Sequence, residues 1–199
     1  TVIGPEGPLE MGIVDRFREA GLRCLGPTKT ASKLEGSKGF AKEFMHRFNI
    51  PTGRYQIFSD LADAKEYVRT QGTPIVIKAD GLAAGKGVVV ALSEDQAMLA
   101  LEQIMSEGRV GEAGQTVVIE EFLEGEEASF ICICDGKTAI PFASSQDHKA
   151  RDEGDLGPNT GGMGAYSPAP VVTPEIHRAV MTKIIKLSLI HISEPTRPY

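Results

Sequence analysis

Apolar and polar positions along the chain repeat in two ways, one typical of helices and one typical of strands. Helical spacing of apolar side chains occurs in five segments, residues 6–20, 37–48, 60–69, 94–106 and 175–185. Short apolar runs that predict strands occur at residues 23–27, 55–58, 74–79, 87–92 and 117–121. Because helices and strands alternate along the chain, we expect a protein of the α/β class.

Composition and charge restrict the partners of such a protein. The chain has 199 residues, and its 21 Lys and Arg against 27 Asp and Glu give a formal net charge of −6. An acidic chain is a poor sequence-independent binder of nucleic acid or of an anionic membrane surface. No apolar run approaches the roughly 20 residues that a membrane span needs. We therefore expect a soluble, cytoplasmic protein that binds small molecules.

The three cysteines, Cys24, Cys132 and Cys134, are too few and odd in number for a disulfide framework. Cys132 and Cys134 fall on one face of a predicted strand without a second pair of metal ligands, which favours reduced thiols over a zinc site. No metal site is predicted from these residues.

A glycine-rich loop between two predicted strands is the most informative feature. Its Gly81 and Gly85 are separated by three residues, and Gly87 rather than Ser or Thr follows Lys86, so the loop departs from the P-loop motif. A strand follows the loop, whereas a P-loop opens a helix. Backbone N–H groups that carry no side chain can approach phosphate oxygens closely, and Lys78 and Lys86 would add positive charge. The alternative is an ordinary hairpin with surface lysines.

An acidic segment follows the predicted strand at residues 117–121. Five carboxylates lie between Glu120 and Glu127, and like charges at close range repel one another. Ribose hydroxyls and the amino edge of a purine would give these carboxylates and the nearby backbone hydrogen-bond partners. A solvated turn between two strands explains the same residues equally well.

A third polar cluster lies further along the chain. Gln146, Asp147, His148 and Lys149 leave a predicted strand, and the loop that follows at residues 157–166 has three glycines within the four residues 161–164. This combination suits a small anionic substrate at a strand end. The glycine run lacks the spacing of a dinucleotide-binding fingerprint, and a lone histidine such as His148 is more often structural than catalytic.

Five segments in this order resemble the phosphoribosylamine–glycine ligase family, also called glycinamide ribonucleotide synthetases, of the ATP-grasp superfamily. They are residues 34–38, 75–88, 119–127, 145–149 and 157–166, and the likeness covers about residues 2–185. The resemblance implies that ATP phosphorylates the carboxylate of glycine. The amine of 5-phosphoribosylamine then attacks glycyl phosphate to give glycinamide ribonucleotide, ADP and phosphate. The protein would chiefly position the reactants and neutralise charge.

The same resemblance implies cofactors and site residues. The cofactors would be ATP and Mg²⁺ or Mn²⁺, and no nucleic acid or membrane partner is implied. The ATP-binding residues implied are Lys38, Lys78, Gly81, Gly85, Lys86, Gly87, Glu120, Glu121, Phe122, Leu123 and Glu127. The substrate-binding residues implied are Asp147, His148, Lys149, Thr160, Gly161, Gly162, Met163 and Gly164. No catalytic residue is assigned.

Within the first set, five residues have a more specific implied role. Lys38 and Lys78 match lysines that contact the ATP phosphates. The backbone of Glu121 and Leu123 would meet adenine, and Glu127 matches the carboxylate that binds ribose.

The resemblance also predicts the organisation of the chain, a partial ATP-grasp fold with an intact lid, preceded by the end of an N-terminal α/β domain. That N-terminal part would be residues 1–28, and the incomplete ATP-grasp domain would be residues 29–186 with its lid at about 50–118. Residues 187–199 resemble translated adapter DNA and are expected to be a non-native tail. The family's metal-binding Glu and Asn match no part of the chain, so we expect it to be inactive alone.

Two alternatives stay open at this point. One is another ATP-grasp carboxylate–amine or biotin-dependent ligase. The other is a nucleotide-binding module without catalytic activity.

Overall fold

A computed structural model describes residues 1–83, 87–153 and 156–192. Within these ranges the chain forms eight α-helices and eight strands. Contacts group them into two units. The first contains Thr1–Arg47 and Thr52–Leu123, and the second contains Phe48–Pro51 and the chain after Leu123.

The first unit begins with helices that the sequence predicted only in part. The segment expected to be one helix is divided into α1 (Glu6–Glu10) and α2 (Ile13–Glu19), because Gly12 between them has a φ of 82°. This left-handed conformation favours glycine. The strand expected at residues 23–27 is reduced to a single parallel bridge between Val2 and Leu25.

Two further helices precede the first strand of the sheet. The sequence did not predict α3 (Lys29–Gly36), which the hydroxyl of Thr28 caps by accepting a hydrogen bond from the backbone N–H of Ala31. The next helix, α4 (Lys38–Arg47), was expected from its apolar positions.

A four-stranded antiparallel sheet forms the centre of the first unit. Its strands are β1 (Tyr55–Phe58), β2 (Ile75–Ala79), β3 (Val88–Ala91) and β4 (Val117–Glu121), in the order β1-β4-β2-β3. All four were predicted from their apolar runs, to within a residue or two at the ends. The order places β4 and β2 in the middle of the sheet.

One face of this sheet packs against α5 (Leu61–Gln71) and α6 (Glu94–Met105). The carboxylate of Asp60 caps α5 by accepting hydrogen bonds from the backbone N–H groups of Ala62 and Asp63. The core contains Ala64, Val68, Ile75, Ile77, Ala79, Ala91, Ala97, Ala100, Leu101, Ile104, Val117 and Ile119, all at most 4% exposed. Alternation along β2 therefore directs Val76 and Lys78 to the opposite face. A short 3₁₀ helix (Gly111–Gly114) precedes β4.

The second unit contains two antiparallel strand pairs. One joins β5 (Cys132–Cys134) to β6 (Ala139–Pro141), and the other joins β7 (Gln146–Asp152) to β8 (Leu156–Tyr166). The glycine-rich residues expected to form a loop therefore lie in a strand. Backbone pairing with β7 gives this segment its extended form despite the low strand propensity of glycine.

The last described residues of the second unit are helical. They form α7 (Pro174–Val180), a π-helical segment (Met181–Ile185) and α8 (Lys186–Ile192). Helix α8 continues past the point where the helical pattern was expected to end, and the ring of His191 stacks on Phe48 with centroids 3.7 Å apart. The assignment of residues 187–199 to a non-native tail stays a prediction. None of the helices in the described ranges has the length and apolarity to cross a bilayer.

Candidate functional site

The glycine-rich segment joins two antiparallel strands. Ile75 pairs with Ala91 and Lys78 pairs with Val88, and the backbone N–H of Ala79 donates a hydrogen bond to the carbonyl of Gly87 at 2.7 Å. The prediction that the loop is a hairpin, and not the start of a helix as in a P-loop, is confirmed. The predicted site residues Gly85 and Lys86 lie outside the described residues.

Close packing explains two of the glycines. A Cβ atom at Gly87 would lie 2.7 Å from the Cβ of Ala83 and 2.9 Å from that of Ala79. A Cβ atom at Gly81 would lie 2.9 Å from the Cβ of Ala113. Such distances are well below the usual separation of about 3.5–4.0 Å between carbon atoms. Both positions therefore exclude a side chain for reasons of space.

Asp80 joins the start of α4 to the start of the hairpin. Its carboxylate accepts hydrogen bonds from the backbone N–H of Gly39 at 2.6 Å and from the hydroxyl of Ser37 at 3.1 Å. The ammonium of Lys38 in turn donates to the carbonyl of Gly81 at 3.0 Å. Burial lowers the pKa of Lys38, against the opposing effect of the Asp80 charge. Two predicted site residues, Lys38 and Gly81, are thus in direct contact.

A carboxylate between two lysines lies on the sheet face opposite the core. The ammonium of Lys42 is 2.8 Å from one oxygen of Glu120, and the ammonium of Lys78 is 2.9 Å from the other. The side chains of Glu120 and Lys42 are 10% and 9% exposed, whereas that of Lys78 is 28% exposed. The sequence predicted Glu120 and Lys78 as site residues but missed Lys42, which lies in α4 four residues after Lys38.

These residues border a cleft of about 600 Å³ within the first unit. Its lining includes Lys38, Lys42, Ala83, Gly87, Val88 and Glu120. Lys78 does not line the cleft, but its ammonium contacts the carboxylate of Glu120, which does. The volume lies in the range of small-molecule sites, about 300–1,000 Å³. The glycine hairpin and the first residue of the acidic segment therefore share one cleft.

A second cleft of similar volume lies beside α7. Val172, His177 and Lys186 are among its lining residues, and it contains none of the predicted site residues. Its lining also includes Arg178, so volume and positive charge alone do not separate the two clefts, whereas the predicted site residues line only the first of these two.

The rest of the acidic segment has a structural contact of its own. The carboxylate of Glu121 accepts hydrogen bonds from the backbone N–H of Arg54 at 2.7 Å and from its Nε at 2.9 Å. These hydrogen bonds, that of the backbone N–H first, lower the pKa of Glu121. Phe122 and Leu123 are 37% and 65% exposed at the end of β4. Glu127 is exposed and belongs to the second unit.

Strand pairing in the second unit brings the two predicted substrate motifs together. Asp147 is opposite Ala165, and His148 is opposite Gly164. Five other predicted residues, Lys149, Thr160, Gly161, Gly162 and Met163, have their backbone in β7 or β8, and their side chains lie outside the description.

A buried hydrogen-bond chain lies at one end of this strand pair and joins residues that the sequence placed in separate motifs. Gln146 is 4% exposed, accepts a hydrogen bond from the hydroxyl of Tyr166 at 2.6 Å and donates one to Glu126 at 3.2 Å. Gln146 and Tyr166 are 20 positions apart in the sequence, so no local pattern predicts that they pair across the two strands.

Comparison with solved structures identifies the class of protein to which this architecture belongs. The chain is similar to the phosphoribosylamine–glycine ligase from Thermotoga maritima, with a TM-score of 0.79 and 32% identity over 94% of this chain and 46% of that one. D-alanyl-alanine synthetase A from Vibrio cholerae shares the fold alone, with a TM-score of 0.70 at 18% identity over 92% of this chain and 56% of that one. The chain has the ATP-grasp fold.

Sequence comparison identifies the family. The family model described as the phosphoribosylglycinamide synthetase N domain matches residues 1–35, and that for the ATP-grasp (A) domain of the same synthetase matches residues 36–199. The chain belongs to the phosphoribosylglycinamide synthetase family.

Two curated relatives agree with this membership. Both are named phosphoribosylamine–glycine ligase. The one from Allochromatium vinosum is 56% identical over all 199 residues, and the one from Ralstonia nicotianae is 58% identical over the same length. The chain spans 46% and 47% of these relatives, about half their length.

Proposed function

We propose that this chain provides the ATP-binding part of an enzyme that ligates glycine to 5-phosphoribosylamine through glycyl phosphate. The products would be glycinamide ribonucleotide, ADP and phosphate. The observation that carries the proposal is the cleft that Lys38, Gly87 and Glu120 line together. The names of the curated relatives and of the Thermotoga maritima structure support the same reaction.

The cleft has the groups that a polyphosphate needs. Lys38 is the first residue of α4 and its ammonium contacts the carbonyl of Gly81 in the hairpin, and Lys78 is beside Glu120 in the sheet. Ammonium groups bind phosphate oxygens through charge-assisted hydrogen bonds. Gly87 also lines the cleft, so its backbone borders the space in which a phosphate would lie.

The sheet also offers an apolar surface for a purine ring. Val88 and Val90 are 44% and 47% exposed on the edge strand β3, and they pair with Lys78 and Val76 of β2. A strand presents alternate residues on one face, so these four side chains share a face of the sheet. Val88 lines the cleft itself. The apolar surface suits the base of a nucleotide, and the neighbouring lysines suit its phosphates.

A divalent cation bound with ATP would offset charge on the phosphates. In residues 1–83, 87–153 and 156–192, no three His, Cys, Asp or Glu side chains come together as a metal would require. The proposal gives the residues of this chain the role of holding the phosphates and the base. Asp147 and His148 beside Gly164 are the proposed contacts for the amine substrate and glycine.

Calorimetric titration of the 199-residue chain with ATP tests the nucleotide part of the proposal. We expect binding that weakens roughly 10- to 100-fold in Lys78→Met, because a hydrogen bond to a charged group contributes about 1.5–3 kcal/mol. Lys65→Met is the matched control, since Lys65 pairs with Glu102 on the helical side of the sheet. Failure of the wild-type chain to bind ATP would contradict the proposal.

Release of ADP with and without glycine and phosphoribosylamine tests whether this chain alone catalyses the ligation. We predict that this chain alone shows no glycine-dependent release, and turnover by the chain alone would refute that prediction.

A further inference from the structure

The contacts of Glu120 differ between its two lysine partners. Lys42 donates also to the hydroxyl of Thr52 at 2.8 Å and to the carbonyl of Gly53 at 3.3 Å. With Glu120, these acceptors satisfy all three N–H groups of its ammonium. Lys78 has a side chain about three times as exposed as that of Lys42. Lys42 is therefore held in place, and Lys78 has room to move.

The charges of the three groups add to +1, since two ammonium groups face one carboxylate. If Lys78 turns from Glu120 towards a phosphate, the ion pair of Lys42 and Glu120 has no net charge. The positive charge of Lys78 is then free of its carboxylate partner and interacts with the ligand alone. Without Lys42 the same movement would leave a bare carboxylate on the lining of a cleft that holds a polyanion. Like charges in a partly desolvated site repel strongly.

We propose that Lys42 is a positioning residue that keeps Glu120 neutralised while Lys78 transfers from that carboxylate to the phosphates of the nucleotide. The inference rests on the proposed function, because it requires that the cleft bind ATP. It assigns Lys42 a role that depends on the charge of the ligand. A lysine that served only to hold the fold together would affect every ligand of the cleft alike.

Variants of Lys42 and Glu120 test this role through the difference between ATP and adenosine. In Lys42→Met we expect ATP to bind about tenfold more weakly, because the net charge beside the phosphates falls from +1 to 0. Adenosine, which has no phosphates, should bind within about twofold of wild type. Lys42→Arg keeps the charge and should bind ATP better than Lys42→Met.

A double variant separates an electrostatic effect on ATP binding from an effect of misfolding. Lys42→Met combined with Glu120→Gln restores a net charge of +1, so it should recover most of the ATP affinity that Lys42→Met loses. Lys65→Met removes the same formal charge from a pair with Glu102 and should leave ATP binding unchanged. Circular dichroism of each variant at the titration temperature checks that it is folded.

The outcomes separate this inference from the proposed function. If the wild-type chain fails to bind ATP, the proposed function fails and this inference with it. If the wild-type chain binds ATP and Lys42→Met binds it equally well, only the inference is overturned. Equal losses for ATP and adenosine, or no recovery in the double variant, would likewise overturn it and leave Lys42 a purely structural residue.

Discussion

Replacement of Gly87 by alanine tests the packing at the base of the glycine hairpin. The added Cβ atom would lie 2.7 Å from the Cβ of Ala83 and 2.9 Å from the Cβ of Ala79. Both contacts are about 1 Å shorter than a comfortable carbon–carbon separation. Neither neighbour can rotate away, because a Cβ atom is fixed to its own backbone. The hairpin backbone must therefore move.

The free energy of unfolding should fall by about 1–3 kcal/mol in Gly87→Ala, which is the usual cost of overpacking a close-packed site. The movement also strains the hydrogen bond from the Ala79 N–H to the Gly87 carbonyl, which is 2.7 Å long. Urea unfolding followed by circular dichroism measures the loss. Addition of Ala83→Gly removes the closer of the two contacts and should recover part of it.

Gly7→Ala is the control for this experiment. A Cβ atom at Gly7 has no neighbour within 4 Å, and the residue lies inside α1. Alanine is favoured over glycine in a helix by up to about 1 kcal/mol, so this variant should be as stable as wild type or more stable. A loss below about 0.5 kcal/mol in Gly87→Ala, typical of a free surface position, would refute the reasoning.

Two further predictions concern carboxylates of β4. Glu120→Ala should lower the free energy of unfolding by about 3 kcal/mol or more, because it leaves the ammonium of Lys42 buried without its counter-charge. Glu102→Ala is the control: it breaks a more exposed ion pair and should cost at most about 1 kcal/mol. Equal losses in urea unfolding would contradict this. The hydrogen bonds from Arg54 lower the pKa of Glu121 in the folded chain. The stability that they give the fold is therefore fully present above the ordinary pKa of 4.5, and it is lost as the pH falls through the lowered pKa. Glu121→Gln should therefore be less stable than wild type at pH 7 and approach it as the pH falls through the lowered pKa of the folded state, and a difference independent of pH would refute that assignment.

The sequence predicted the hairpin because its signals are local. Two apolar runs flank the glycines, and a strand rather than a helix follows Gly87. The same holds for helix α5, which the apolar spacing of its own residues predicted. Local propensity and tertiary structure agree in both places, so the prediction needed no knowledge of distant residues.

The charged cluster in the cleft could not be predicted in the same way. Lys42 lies on a helix whose apolar positions gave the only visible pattern, and its partner Glu120 is 78 residues away. Asp80 follows a buried strand directly and could have been noticed, but its contacts with Ser37 and Gly39 depend on where α4 begins. Contacts between residues so far apart in the chain require the fold itself.

Photolabelling with 8-azidoadenosine triphosphate tests most directly whether this cleft holds the nucleotide. The chain is irradiated with the reagent, digested, and the labelled peptides are identified by mass spectrometry, with excess ATP as competitor. The account predicts labelling, suppressed by ATP, within residues 76–90 or 117–123, which contain the hairpin strands and β4. Labelling that ATP suppresses only elsewhere, such as beside α7 or in α1 and α2, would contradict it.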